Sequence, residues 1–249
     1  MYTLLITGVC GGAGVTSVTA NLAAAMQLQG MRCLVLDLNP ANVLRYSFAI
    51  RHDERAGWVR ASVDGKPWQE AAYAAHNGVT VLPFGELSAA EVREYHLDAS
   101  AIVERLEVML AALRDMAYDC VLIDGPAAFQ FAEVAQVSNR LWVTTPSAGA
   151  YAMLKRYGES WLGDSLDSKS HLLINRLSPH IPLEQDIAGL LKQDFAAALT
   201  PNGIHEDLAV AEAQALFATV LETAVDSQAT KDFQALARFY LTVARGRTA

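Results

Sequence analysis

An apolar run, Thr3–Thr7 (TLLIT), opens into the stretch Gly8-Val9-Cys10-Gly11-Gly12-Ala13-Gly14-Val15-Thr16-Ser17, and a segment of helical pattern follows. No other feature limits the chain as much. Glycines let a backbone turn sharply and aim successive N–H groups inward, and a helix N-terminus placed just after them adds a positive end. A plain glycine-rich turn is the bland alternative. Three glycines within Gly11–Gly14, opening a helix after the first strand, favour a phosphate loop. Its binding set is Cys10, Gly11, Gly12, Ala13, Gly14, Val15, Thr16 and Ser17, with Thr16 placed to offer its hydroxyl to magnesium. Measured against GxxxxGK[ST], Val9 replaces the first glycine and Val15 replaces the lysine. That lysine normally brings a point charge to the terminal phosphates, where charge stabilisation carries most of the catalysis. Backbone cradling survives its loss; fast hydrolysis is not expected to.

Further short apolar runs alternate with helical patterns. The expected strands after the first are Cys33–Leu36, Val79–Leu82, Cys120–Ile123, Leu141–Thr145 and His171–Ile174. They are polar only at their ends, which is how strands covered on both faces read, so a mostly parallel sheet is predicted. Helices are expected over Thr16–Gln29, Ala99–Met116, Ala128–Ser138, Ala150–Leu162 and Pro182–Lys192, with a terminal helix over Asp226–Arg245. This succession predicts a doubly wound α/β fold with helices on both faces and ligands at the C-terminal edge of the strands. The stretch Arg51–Asn77 reads as a surface excursion. One domain over residues 1–249 is expected.

Two strands end in aspartate on that edge, Asp37 in VLDLNPAN and Asp124 in YDCVLIDGPA. A hydrophobic run terminating in Asp beside a phosphate loop resembles a Walker B element, whose carboxylate holds magnesium, often through water. Asp124 is read in that role, beside Thr16. For Asp37 a nucleotide-site role and a turn or cap role stand side by side. Asn175 and Arg176, after the run HLLI, are candidates to contact a base, or are turn residues.

Composition narrows the partners. With 19 basic against 27 acidic residues the net charge is −8, which disfavours nucleic acid as a main partner. Cys10, Cys33 and Cys120 have no metal spacing, and the last two sit in apolar runs as expected buried thiols. The first residues lack the basic region of a signal peptide, and no apolar run approaches the ~20 residues of a membrane helix. A cytoplasmic protein is the expectation. The six histidines are scattered and are read as structural or solvated. One rival of another class is a short-chain dehydrogenase: Thr7, Gly8, Gly12 and Gly14 fit its TGxxxGxG loop, Tyr151 and Lys155 its YxxxK pair, and Ser138 its serine spacing. Against it, IDGPA stands where that family has NAG, and Ser138 precedes a strand. The terminal helix, with Phe233, Leu236, Phe239, Tyr240 and Val243 at helical spacing, packs on the sheet or, alternatively, lies on a membrane surface.

These motifs resemble the MinD/ParA group of deviant P-loop ATPases, which carries KGGxGKT, a DxDPQ-like segment and a YDxxxxDxP Walker B. The counterparts are CGGAGVT (Cys10–Thr16), DLNPAN (Asp37–Asn42) and YDCVLIDGP (Tyr118–Pro126), and LLINRL (Leu172–Leu177) is similar to the group's base-binding strand end. Cys10 stands at the group's signature lysine and Asn39 at a catalytic switch aspartate. In these departures, and in Asn42-Val43-Leu44-Arg45-Tyr46-Ser47-Phe48, the chain is similar to the cellulose-biosynthesis BcsQ family. That resemblance implies an ATP-binding regulatory or assembly subunit of a bacterial cellulose synthesis and secretion system. It implies a homodimer holding ATP and magnesium, with BcsR, BcsE and the cellulose synthase complex as partners, recruited to the inner membrane through them. A ParA-like partitioning or MinD-like membrane-surface ATPase is the related alternative. Arg45 and Arg51, after the switch segment, are candidates to replace the missing lysine charge.

Overall fold

A computed structural model describes residues 1–97, 99–127, 137–163 and 169–246. In chain order the elements are β1 (Tyr2–Gly8), α1 (Val15–Leu28), β2 (Cys33–Asp37), α2 (Trp58–Val63), β3 (Tyr73–Ala74), β4 (Thr80–Leu82), α3 (Ala89–Leu97), α4 (Ala99–Arg114) and β5 (Cys120–Asp124). There follow β6 (Asn139–Thr144), α5 (Ala148–Leu162), β7 (Ser170–Ile174), α6 (Pro182–Asp194), α7 (Leu208–Ala215), α8 (Val220–Thr223) and α9 (Gln228–Gly246). Short 3-10 turns cover Leu44–Phe48 and Trp68–Ala71.

The strands form a seven-stranded sheet in the order β3-β4-β2-β5-β1-β6-β7. Every pairing is parallel except β3 with β4. The expected doubly wound, mostly parallel architecture is therefore the observed one. The cause lies in strand composition. Along β1, Leu4 and Ile6 join the core under α1 and α9, while Leu5 joins the opposite core under α4 with Leu36, Ile123, Leu106 and Leu110. Side chains alternate faces along a strand, so a run apolar at every position needs cover on both sides. A third cluster packs Trp142, Leu172 and Ile174 under α5 and α6; Trp142 and Trp161 stack with ring centroids 4.8 Å apart.

Two differences from expectation follow from short length or weak pattern. The excursion Arg51–Asn77 holds α2 and the two-residue edge strand β3, which is too short to show alternation. Helices α3, α7 and α8 were not anticipated; α7 carries its apolar residues on no single side. The helix expected over Ala128–Ser138 lies largely outside the described residues. The terminal helix packs on the sheet: Phe233, Leu236 and Tyr240 are buried in the same cluster as Leu22 and Met26 of α1. No helix among the described residues is long and apolar enough to cross a membrane.

Candidate functional site

The parallel topology sends β1, β2, β5, β6 and β7 to one edge, and the loop Val9–Gly14 leaves β1 there. Val9 is anchored through its N–H to the Val143 carbonyl at 2.9 Å. From Cys10 to Ser17, however, no main-chain amide donates to an acceptor among the described residues; the first committed one is that of Val18, to Gly14 at 2.9 Å. The turn rests on glycine at Gly14, the N-cap of α1, whose φ is +90°. A Cβ there would also stand 2.5 Å from the Asn175 amide nitrogen. That nitrogen donates to the Ala13 carbonyl at 2.8 Å, so the end of β7 holds the loop's shape. Gly11 and Gly12 are exposed, with nothing within 4 Å of a Cβ at either.

Beneath the loop, Asp37 and Asp124 are partners at the same register on neighbouring strands, and both are buried. Asp124 accepts from the Thr16 hydroxyl at 2.8 Å and from the Thr19 hydroxyl at 3.4 Å. Burial pushes its carboxyl up to about 7, against the pull of those two hydrogen bonds. Burial first, and then the charge of Asp124, drive Asp37 well above the ordinary carboxylate range. One Asp37 oxygen accepts from the Asn39 amide at 2.8 Å, and the other is buried with no hydrogen-bond partner among the described residues. The Asp37 carbonyl takes the indole N–H of buried Trp58 at 2.7 Å. Adjacent buried carboxylates, one with an orphaned oxygen and the other touching a loop hydroxyl, fit a divalent cation: it would supply the charge that both lack.

A cavity of about 420 Å³ adjoins the loop, lined by Gly14, Ser17, Asn175, Arg176, His205 and Gln214 among others. Gln214 donates to the Ser17 hydroxyl at 2.7 Å, tying α7 to the first turn of α1. The structure thus brings together the loop, Thr16, Asp37, Asp124, Asn175 and Arg176. Asn175 serves the loop with its nitrogen, and Arg176 is exposed in a left-handed conformation, φ +56°.

Among the described residues neither candidate arginine makes a direct contact to the phosphate loop, although the charge of Arg45 reaches Asp37 and pulls against its raised carboxyl. Arg45 is buried and donates to the Glu54 carbonyl and the Tyr46 hydroxyl. Arg51 is exposed and paired with Asp53 at 2.7 Å. Nor does a dehydrogenase constellation assemble. The Ser138 hydroxyl accepts from the Thr3 amide at the start of β1, away from the phosphate edge. Tyr151 and Lys155 both spend their polar ends on Asp194, at 2.7 and 3.1 Å. His205 and Gln214 had no sequence signal, because what places them is the folding of residues 204–214 back onto β7 and α1.

Comparison with known proteins bears on the same architecture. The family model described as "Cellulose biosynthesis protein BcsQ" matches residues 1–241. Cellulose biosynthesis protein BcsQ of Escherichia coli K12 is 32% identical over 97% of this chain and 94% of its own length. Among solved structures, the MinC:MinD cell division complex of Aquifex aeolicus superposes with a TM-score of 0.76 at 17% identity, covering 97% of this chain and 96% of that one. MinD of Pyrococcus horikoshii, complexed with Mg-ADP, gives 0.68 at 20% identity over 95% and 94%.

Proposed function

Because the chain belongs to the BcsQ family of cellulose biosynthesis proteins, we propose that it binds ATP and magnesium as a structural ligand and serves as a regulatory or assembly subunit of a cellulose synthesis and secretion system. One observation carries the reading: among the described residues the amides from Cys10 to Ser17 sit unclaimed at a helix N-terminus, and the residue at the lysine position is Val15. Such a loop grips phosphate oxygens through main-chain dipoles and supplies no mobile cation to a developing charge. In this reading Cys10 to Ser17 cradle the phosphates, while Thr16 and Asp124, with Asp37 beside them, hold the magnesium. The metal offsets phosphate charge and the charge of both carboxylates. Asn175 and Arg176 lie at the base.

With hydrolysis slow, the nucleotide acts through linkage: a ligand that prefers one assembly state shifts the population toward it. We assign that state to a homodimer, and BcsR, BcsE and the cellulose synthase complex as its partners, on family resemblance. The Mg-ADP of the archaeal MinD neighbour supports a magnesium nucleotide in this fold. The test is the nucleotide content of purified protein, read with its native mass. ATP retained intact in a dimer is expected. Prompt phosphate release, or a nucleotide-free protein that ignores added Mg-ATP, would overturn the reading.

A further inference from the structure

The nucleotide reading leaves one group in the cavity unused. His205 lies in the extended segment before α7 and bridges Leu177, just past β7. Its side chain is 44% exposed and lines the cavity with Asn175 and Gly14. Its Nδ1 lies 2.9 Å from an oxygen of Asp232, and the same oxygen accepts the His205 main-chain amide at 2.8 Å. Asp232 itself is buried on α9, and its second oxygen accepts from Gln228 at 2.8 Å. Both oxygens of Asp232 already accept N–H donors, so the hydrogen of a neutral imidazole belongs on Nδ1, and Nε2 is left as a bare acceptor. Nε2 has no partner among the described residues. Asn175, which lines the same cavity, shows the same polarity: its nitrogen is committed to Ala13, and its carbonyl oxygen has no partner among the described residues.

The geometry points to His205 as a specificity-determining residue: with Asn175 it presents paired acceptors that select a purine bearing a 6-amino group over a 6-oxo purine. The inference rests on the nucleotide reading above. The amino group of adenine donates where the oxo oxygen of a 6-oxo purine accepts. A site of two acceptors would meet that oxo oxygen with like polarity and leave its own groups unpaired. Asp232 is the positioning residue, since it fixes both the tautomer and the backbone of His205.

Calorimetric titration with Mg-ATP and Mg-ITP, whose bases differ at the 6-position edge, tests this. The wild type is expected to favour ATP about 10-fold or more. His205→Phe keeps a ring and removes the acceptor; it is expected to weaken ATP about 10-fold, leave ITP nearly unchanged and so collapse the ratio. Equal loss of both nucleotides, or no loss of either, overturns the role of His205 while the nucleotide reading stands. A wild type that binds neither overturns both. Should His205→Phe fail to fold, imidazole 15N shifts of the wild type decide. A protonated Nδ1 with a bare Nε2 that responds to ATP and not to ITP supports the assignment. A proton on Nε2, or a ring indifferent to ATP, sinks it.

Discussion

Asp124 is the residue at which binding and stability pull in opposite directions. Its carboxyl is raised to about 7 by burial, so in the folded protein it carries a proton that the unfolded chain releases near 4. Such a group stabilises the fold below its unfolded value, and that contribution is lost as pH rises through 7. The strongly shifted Asp119, held at about 2 by Arg32, and Glu91, held at about 2 by Ser88 and Arg60, act with the opposite sign but below pH 4. The metal-free, nucleotide-free protein should therefore lose thermal stability between pH 5 and 8, by on the order of a few kcal/mol. Saturating Mg-nucleotide should flatten that slope; scanning calorimetry with and without it is the measurement. Asp124→Asn should melt no lower than wild type at pH 8, yet bind Mg-ATP about 10-fold or more weakly. Gly14→Ala should cost about 1–3 kcal/mol and weaken nucleotide binding as well, because the left-handed backbone and the Asn175 contact fail together; denaturant melts and titration check it. Much of this site was readable from the sequence, because a glycine loop and strand-end acids are local patterns. His205 with Asp232 was not: 27 residues separate them, and no periodicity links their roles.

At the level of elements, the parallel strands declared themselves because burial on both faces demands unbroken apolar runs, and each of those runs is a strand. Boundaries moved by a residue or two where a polar end such as Asn139 is itself buried, bonded to Tyr2 and Lys169. The antiparallel strand β3 was illegible, since Tyr73–Ala74 has no room for a period. The terminal helix has a strong apolar stripe whose destination the sequence left open; in the fold its Phe233, Leu236 and Tyr240 are buried with Leu22 and Met26 of α1. Leu236→Ala should accordingly cost about 2–5 kcal/mol as a core truncation. Vesicle binding should be unaffected by it, which denaturation and co-sedimentation measure side by side.

For the molecule as a whole, the glycine loop, the acid pair and the adjoining cavity are joined by tertiary contacts from opposite ends of the chain: Asn175 to Ala13, Gln214 to Ser17, and His205 to α9. A ligand seated there bridges β1, β5, β7, α7 and α9, so its binding energy should appear as global stability. At one hundred times its Kd, Mg-ATP should add ~2.7 kcal/mol and raise Tm by roughly 5–10 °C, as read by differential scanning fluorimetry. The indole of Trp58, bonded to the Asp37 carbonyl and set edge-on to Phe84 at 6.2 Å, has a further consequence. A fluorophore is bonded to the backbone of Asp37, so on the magnesium reading the protein would carry its own optical gauge of occupancy. The intrinsic emission of a Trp68→Phe variant, stripped of its most superficial background, should report metal and nucleotide loading in real time without any attached dye.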